Sequence, residues 1–284
     1  MIIVIGCVIV IVSVFGGFVM GGGNLGALVH FNELLIIGGG ALGALIVMSP
    51  RKVLMDITKG LLVCLKGTPH SRTAYEELLK VLYELFLLGR RNGMIALEEH
   101  VMEPQSSTIF KRYPVFFGNK AAMEFLCGSL RPIIDGKIKP DQLRLLLDVE
   151  LDRLEQEHHA PVNVLNKTAD AMPGFGIVAA VLGIVITMAS ISGPIEEIGH
   201  HVAAALVGTF LGILVAYGFV GPISAAMEQR AVEDCKAFEL VKMAFVASVR
   251  GYAPPVAIEF ARKLLFAGVR PSFTDLEAHL KGGR

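Results

Sequence analysis

No lysine or arginine occurs in residues 1–50 or 168–229; all 26 lie in residues 51–167 and in the tail from Arg230 to Arg284. Charge of either sign is scarce, at 18% of the 284 residues, while 53% are hydrophobic and the mean hydropathy is +0.60. A chain this apolar does not belong to the ordinary soluble class. The four cysteines, Cys7, Cys64, Cys127 and Cys235, show no metal-ligand spacing. On the topology derived below the last three face a reducing compartment, so no structural disulfide is expected. HExxH, GxSxG and paired carboxylates within an apolar run are all missing, and with them the usual hydrolase constellations, so an enzyme is not expected. No strand-like run, low-complexity linker or solenoid repeat occurs.

What the sequence does have is long charge-free runs. About 20 mostly apolar residues cross a hydrocarbon core of about 30 Å, and four stretches qualify. They are residues 2–20, residues 34–50 between Glu33 and Arg51, the run bounded by Asp170 and Glu196, and Ile198 to Met227, which is interrupted only by His200 and His201. The first lacks a basic n-region and a small-residue cleavage site, so it reads as a span and not as a signal peptide. The short loops 21–33 and 192–200 hold three glutamates and no basic residue. The excess of basic residues on cytoplasmic segments then puts the middle region, the tail and both termini inside. The fold class expected is all-α: a polytopic membrane protein with four transmembrane helices and a helical cytoplasmic domain. Its divisions are residues 1–50 (spans one and two), 51–169 (cytoplasmic helices), 170–224 (spans three and four) and 225–284 (cytoplasmic C-terminal helices).

Within the cytoplasmic part, "TAYEELLKVLYELFLLGRRNG" opens with a capping box, Thr73 and Glu76. It sets Leu78, Leu82, Leu85 and Phe86 on one stripe and stops at Asn92-Gly93. A second helix starts after Pro140, capped by Asp141. The tail continues span four to Gly251 and the Pro254-Pro255 pair, and one more helix, "VAIEFARKLLFAG", follows.

Several motifs carry structure more readily than chemistry. Gly38-Gly39-Gly40 lies inside a span with no following Lys-Ser/Thr, so it is not a phosphate loop. The pairs Gly17/Gly21, Gly22/Gly26, Gly39/Gly43 and Gly208/Gly212 are small residues four apart, which let membrane helices approach closely. The doublets His158-His159 and His200-His201 point about 100° apart on a helix and make poor chelators. Pro173 falls in the first turn of span three, where a missing N–H is harmless. Pro222 lies where the helix continues, which frees the Gly218 carbonyl and bends the axis. The hydroxyls of the spans are Ser13, Thr187, Ser190, Thr209 and Tyr217, of which the serines and threonines can bond back to the preceding turn. A carboxylate at membrane depth is the default group for an ion path. The spans show none, so an ion path here must borrow its titrating group.

Four blocks in order, "LGRRNGMIALEEHV", "DAMPGFGIVAAVLGIV", "VGTFLGILVAYGFVGPI" and "RGYAPPVAIEFARKLL", resemble the MotA family. Its members are the larger membrane subunits of bacterial flagellar stators, in the MotA/TolQ/ExbB proton channel superfamily. The resemblance covers essentially the whole chain and implies a multi-pass subunit of the bacterial inner membrane. It implies a partner, MotB, whose single span carries an ion-binding aspartate and whose outer part anchors to peptidoglycan. Five copies are expected around a MotB dimer, with no cofactor and no nucleic-acid partner. Pro173 and Pro222 match the prolines that couple ion binding to movement. Arg90 and Glu98 match the charged pair that meets the rotor protein FliG, and Thr209 matches a position lining the ion path, to which Tyr217 is also assigned. Ala180 stands where sodium-driven relatives resemble one another in having threonine, so the transported ion is expected to be H+. The alternatives are an ExbB/TolQ-type stator energising envelope processes, whose members have three spans, and a passive membrane scaffold.

Overall fold

The computed structural model describes residues 2–66, 71–136, 138–189, 191–272, 274 and 276, and every regular element among them is helical. Four helical stretches are long and apolar enough to cross a membrane. The chain packs as two units, Met1–Gly67 with Glu157–Arg230, and Thr68–Gln156 with Ala231–Arg284.

The first unit holds the apolar runs. Helix α1 (Ile2–Met20) buries none of its residues within the chain. An all-round apolar helix of this kind requires lipid or other protein about it. A short 3₁₀ turn, Leu25–Leu28, is capped by the Asn24 side chain, which accepts from the Gly26 amide at 2.9 Å. Helix α2 (Phe31–Met48) follows, then α3 (Arg51–Lys66). The later part of α8 (Pro140–Ala189), α9 (Ile195–Val215), a π-helical turn (Ala216–Val220) and the beginning of α10 (Gly221–Val249) complete the unit. Ile37 and Ala41 of α2 pack with Met172 and Ala179 of α8 and with Ala216. A smaller cluster joins Val162 and Leu165 to Met227, with Leu61 and Cys64 of α3 against it.

The second unit is built on a conventional apolar core. Helix α4 (Arg72–Asn92) buries Leu78, Leu82, Leu85 and Phe86, the stripe expected from the sequence. At about 1.5–3 kcal/mol for each fully buried large aliphatic or aromatic side chain, this face holds the helix in place. The helix stops at Gly93, whose φ of +84° suits glycine. Its start differs from the expected Thr73–Glu76 box. Ser71 is the cap and accepts from the Ala74 amide, while Glu76 pairs with Arg72 at 2.9 Å. Three short helices, α5 (Glu98–Met102), α6 (Pro114–Gly118) and α7 (Lys120–Ile134), lie against this core with the first part of α8, the rest of α10 and α11 (Pro254–Lys263). Cys127 and Cys235 are buried in this unit, and burial pushes both thiols up to about 11.

Helix α8 departs most from expectation. It begins with Pro140 as its first residue, and Gln142 accepts from the Lys139 amide at 3.0 Å, so Asp141 is not the cap. Asp141 instead pairs with Arg250 at 3.2 Å. The helix then runs for 50 residues through Pro161 and Pro173 without a break. Each interior proline removes one i→i−4 bond, yet the residues on either side keep the rest of the ladder. Pro173 is therefore in the helix interior and not in a first turn, and the Ala169 carbonyl loses its usual amide donor.

Candidate functional site

A seam of small residues joins α8 to α9. A Cβ built on Gly176 would fall 3.0 Å from the Gly208 carbonyl oxygen and 3.3 Å from the Cα atoms of Thr209 and Gly212. One on Gly212 would fall 2.9 Å from the Met172 carbonyl oxygen, and one on Gly183 would fall 2.8 Å from the Ala205 Cβ. Backbone thus lies on backbone, which only glycine permits. Of the four expected glycine pairs, Gly208/Gly212 packs this way. Gly39 and Gly43 meet nothing within 4 Å inside the chain, and Gly40 between them takes the close contact, under Phe175. Gly22 serves a turn, with φ of +86°.

Pro173, Ala180 and Thr209 lie along this seam, all half-buried. Pro173 follows Met172, whose carbonyl oxygen is 2.9 Å from a Cβ placed on Gly212, and the Ala180 amide is 3.7 Å from a Cβ placed on Gly208. Tyr217 and Pro222 come further along the same helical stretch, beyond Gly212, and are exposed within the chain. Tyr217 is inside the π turn, where the Gly221 amide bonds the Ala216 carbonyl five residues back. A π turn directly before a proline widens the helix where the ring would press on the preceding turn, a geometry frequent at functional sites. Ser224 then ties α10 to α8 by donating to the Val162 carbonyl at 3.2 Å, next to Pro161. Thr187 bonds back to the Gly183 carbonyl at 2.8 Å as expected for a span hydroxyl. Ser190 lies outside the described residues.

Arg90 and Glu98 are exposed and flank the Gly93 turn, but they border different hollows. Arg90 edges an apolar one of about 210 Å³ with Phe86, Leu97 and Tyr252. Glu98 edges an open one of about 1210 Å³ with Arg91, Glu99, Glu103 and Arg112. The floor of the larger hollow is fixed by buried His100, whose Nδ1 is 3.0 Å from the Ser107 hydroxyl, and by Glu84, which accepts from Tyr113 at 2.7 Å and pairs with Arg112.

Sequence reasoning missed one residue of chemical weight. Glu33, which marks the edge of a charge-free run, is turned into the bundle against Gly208 and is only 8% exposed. The spans therefore do contain a carboxylate of their own. The available signal was its place: a glutamate at the third position of a helix that is apolar from there to its end.

Comparison with known proteins gives a consistent result over the full length. The model for the motility protein A N-terminal region matches residues 4–93, and that for the MotA/TolQ/ExbB proton channel family matches residues 118–239. Motility protein A of Salmonella typhimurium is 40% identical over 284 residues, covering 100% of this chain and 96% of the relative. Chemotaxis protein LafT of Vibrio parahaemolyticus is 39% identical, covering 97% of each. Among solved structures, that of C. jejuni MotAB has a TM-score of 0.76 at 21% identity, covering 93% of this chain and 95% of that one. The flagellar MotAB stator complex of Bacillus subtilis gives 0.73 at 23%, covering 96% and 97%. At those identities the structural likeness speaks for the fold alone.

Proposed function

Because the chain belongs to the motility protein A family and serves as a proton-channel subunit of the flagellar stator, we propose that it works with a MotB partner to convert proton flow into torque on the rotor. The observation that carries this reading is a full-length relative at 40% identity, joined to a glycine-lined seam between α8 and α9 on which Pro173, Ala180 and Thr209 lie. The match of residues 4–93 to a region named for motility protein A favours this over an ExbB/TolQ-type stator.

On this reading the protein lies in the bacterial inner membrane with both termini in the cytoplasm, and five copies surround two of the partner. The partner's aspartate binds the ion, and the seam at Ala180, Thr209 and Tyr217 forms the wall beside it. The aliphatic side chain of Ala180, where sodium-driven relatives resemble one another in having threonine, favours H+. Protonation neutralises a charge that is costly in the membrane and shifts the balance between two arrangements of the subunit. Pro173 and Pro222, each in a helix interior, supply places where α8 and α10 can bend. The exposed charges of Arg90 and Glu98 meet FliG. The chain conducts and couples without catalysis and needs no cofactor.

A strain lacking its own stator, given this chain and its MotB partner, is expected to swim, to keep swimming without sodium and to stop with a protonophore. The chain without its partner, or with the partner's aspartate neutralised, is expected to leave cells still. Failure to restore rotation with both chains in the membrane would return the passive scaffold and the envelope-process stator.

A further inference from the structure

Helix α3 has two apolar faces, and the chain covers one of them. Ile57 is buried, Leu61 and Cys64 lie against Val162, Leu165 and Met227, and a Cβ on Gly60 would fall 2.6 Å from the Met227 Cε. Away from that contact, Met55, Leu62 and Leu65 are 55%, 58% and 51% exposed. At the helical turn of about 100° per residue they fall within about 80° of one another. Thr58 lies among them and donates to the Met55 carbonyl at 2.8 Å, so its hydrogen is used within the helix. Lys52 and Lys59, about two turns apart, line one edge of this stripe, and Arg51 stands at its end nearest α2. Lys52 pairs with Glu157 at 3.2 Å, whereas Arg51 and Lys59 are exposed and have no ion pair among the described residues. Asp56 is the one acidic residue of the helix.

An apolar stripe edged by cations is the composition of a helix that lies in a bilayer surface, with its apolar side at the acyl boundary and its basic side among phosphates. Position agrees. Helix α2, long and apolar enough to span, ends at Met48 and α3 begins at Arg51, a link that reaches at most about 11 Å. Basic side chains just inside a span attract acidic headgroups. The same face on a second copy of the chain would answer the stripe but bring cations against cations, whereas acidic lipid answers both. We infer that α3 docks on acidic phospholipid of the cytoplasmic leaflet: Met55, Leu62 and Leu65 enter the acyl boundary, and Arg51 and Lys59 hold headgroup phosphates. The covered face is thereby braced between the membrane surface and Met227, which follows Pro222 on α10. The choice of leaflet rests on the orientation proposed above; the docking itself rests on neither the transported ion nor the rotor contact.

The test uses the chain with its MotB partner, in nanodiscs of phosphatidylcholine alone or mixed with phosphatidylglycerol, and in detergent with either lipid added. In a Cys-free background, a spin label on Leu62→Cys is expected to be shielded from a water-soluble nickel chelate and reached by oxygen dissolved in the lipid, more so with phosphatidylglycerol. In detergent, phosphatidylglycerol is expected to raise the melting temperature of the complex and phosphatidylcholine to leave it unchanged. Arg51→Gln with Lys59→Gln should raise the phosphatidylglycerol concentration needed for half of that rise about tenfold, and high salt should do the same to the wild type. A label open to the nickel chelate would overturn the inference, as would equal action of the two lipids. A label shielded from both reagents would assign the stripe to a second copy and overturn it too. If the labelled variant fails to assemble, the two lipids compared on the wild-type complex decide. Both leaflets of a nanodisc carry the same lipid, so labelling of Ser106→Cys from the periplasm counts against the orientation, and the nanodisc result still reports on α3.

Discussion

At the scale of single residues, whether a neighbour can yield decides what a substitution does. A Cβ on Gly212 meets the Met172 carbonyl at 2.9 Å and the Gly176 Cα at 3.0 Å. Both are backbone atoms of α8, and neither can rotate away. Gly212→Val is therefore expected to force α8 and α9 apart and lose about 1–3 kcal/mol, the usual range for overpacking, read as lower membrane levels and earlier thermal unfolding in detergent. Gly128, exposed in α7 with nothing within 4 Å, is the contrast: Gly128→Ala should gain about 0.5–1 kcal/mol from backbone entropy. A polar residue is judged by what its partners do to its charge. Arg262, buried in α11, donates to both Glu259 oxygens at 2.7 Å and to the Pro271 carbonyl at 2.8 Å. Its guanidinium holds the Glu259 carboxyl below the usual carboxylate range. A depressed folded value means the pair stabilises above the ordinary glutamate value of about 4.3 and that this stability drains away as pH falls through the lower folded value. The melting temperature should accordingly fall on acidification through and below that range, and less steeply in Glu259→Gln. Arg262→Ala should lose about 1–3 kcal/mol at neutral pH, because a buried acceptor is stranded.

At the scale of elements, the four membrane runs, the α4 stripe with its stop at Gly93 and the tail helix were all legible, because period and charge-free length survive any tertiary context. What was not legible depended on neighbours. Pro173 marks a helix start by local chemistry alone, and only the packing of its flanks against α9 and α3 keeps α8 unbroken through it and Pro161. The π turn before Pro222 has no pattern in a hydropathy trace. Glu33 was visible as a letter, but its burial depends on Gly208, some 175 positions away in the chain. The structure also decides where topology can be probed. Ser107 is buried and bonded to His100, and Asn24 caps a turn, so cysteines there would report packing instead of sidedness. Exposed Ala27, Ser192, Ser106 and Ser272 serve better. In a Cys-free variant, Ala27→Cys and Ser192→Cys are expected to react with an impermeant thiol reagent added to the periplasm, and Ser106→Cys and Ser272→Cys only after the membrane is opened. The reverse pattern would invert the proposed orientation.

At the scale of the whole molecule, the proposed rotor contact depends on charges that the fold leaves in water. Exposed ion pairs are worth about 0–1 kcal/mol and are screened over about 8 Å at physiological salt, so neutralising either Arg90 or Glu98 should slow swimming only in part. Reversal replaces attraction by repulsion and misdirects docking. Arg90→Glu and Glu98→Lys are each expected to reduce swimming strongly while membrane level and proton flow stay near wild type. The two residues border separate hollows, Arg90 with Phe86 and Tyr252, Glu98 with Arg91 and Glu99. They should therefore meet different rotor charges, and the losses should add as they do for sites without shared partners. A compensating reversal on the rotor should rescue one variant and leave the other impaired. Swimming speed of the double variant, Arg90→Glu with Glu98→Lys, checks the whole argument. Speed at the wild-type level, in a strain where Arg91 and Glu99 have also been neutralised, would remove both residues from the rotor contact.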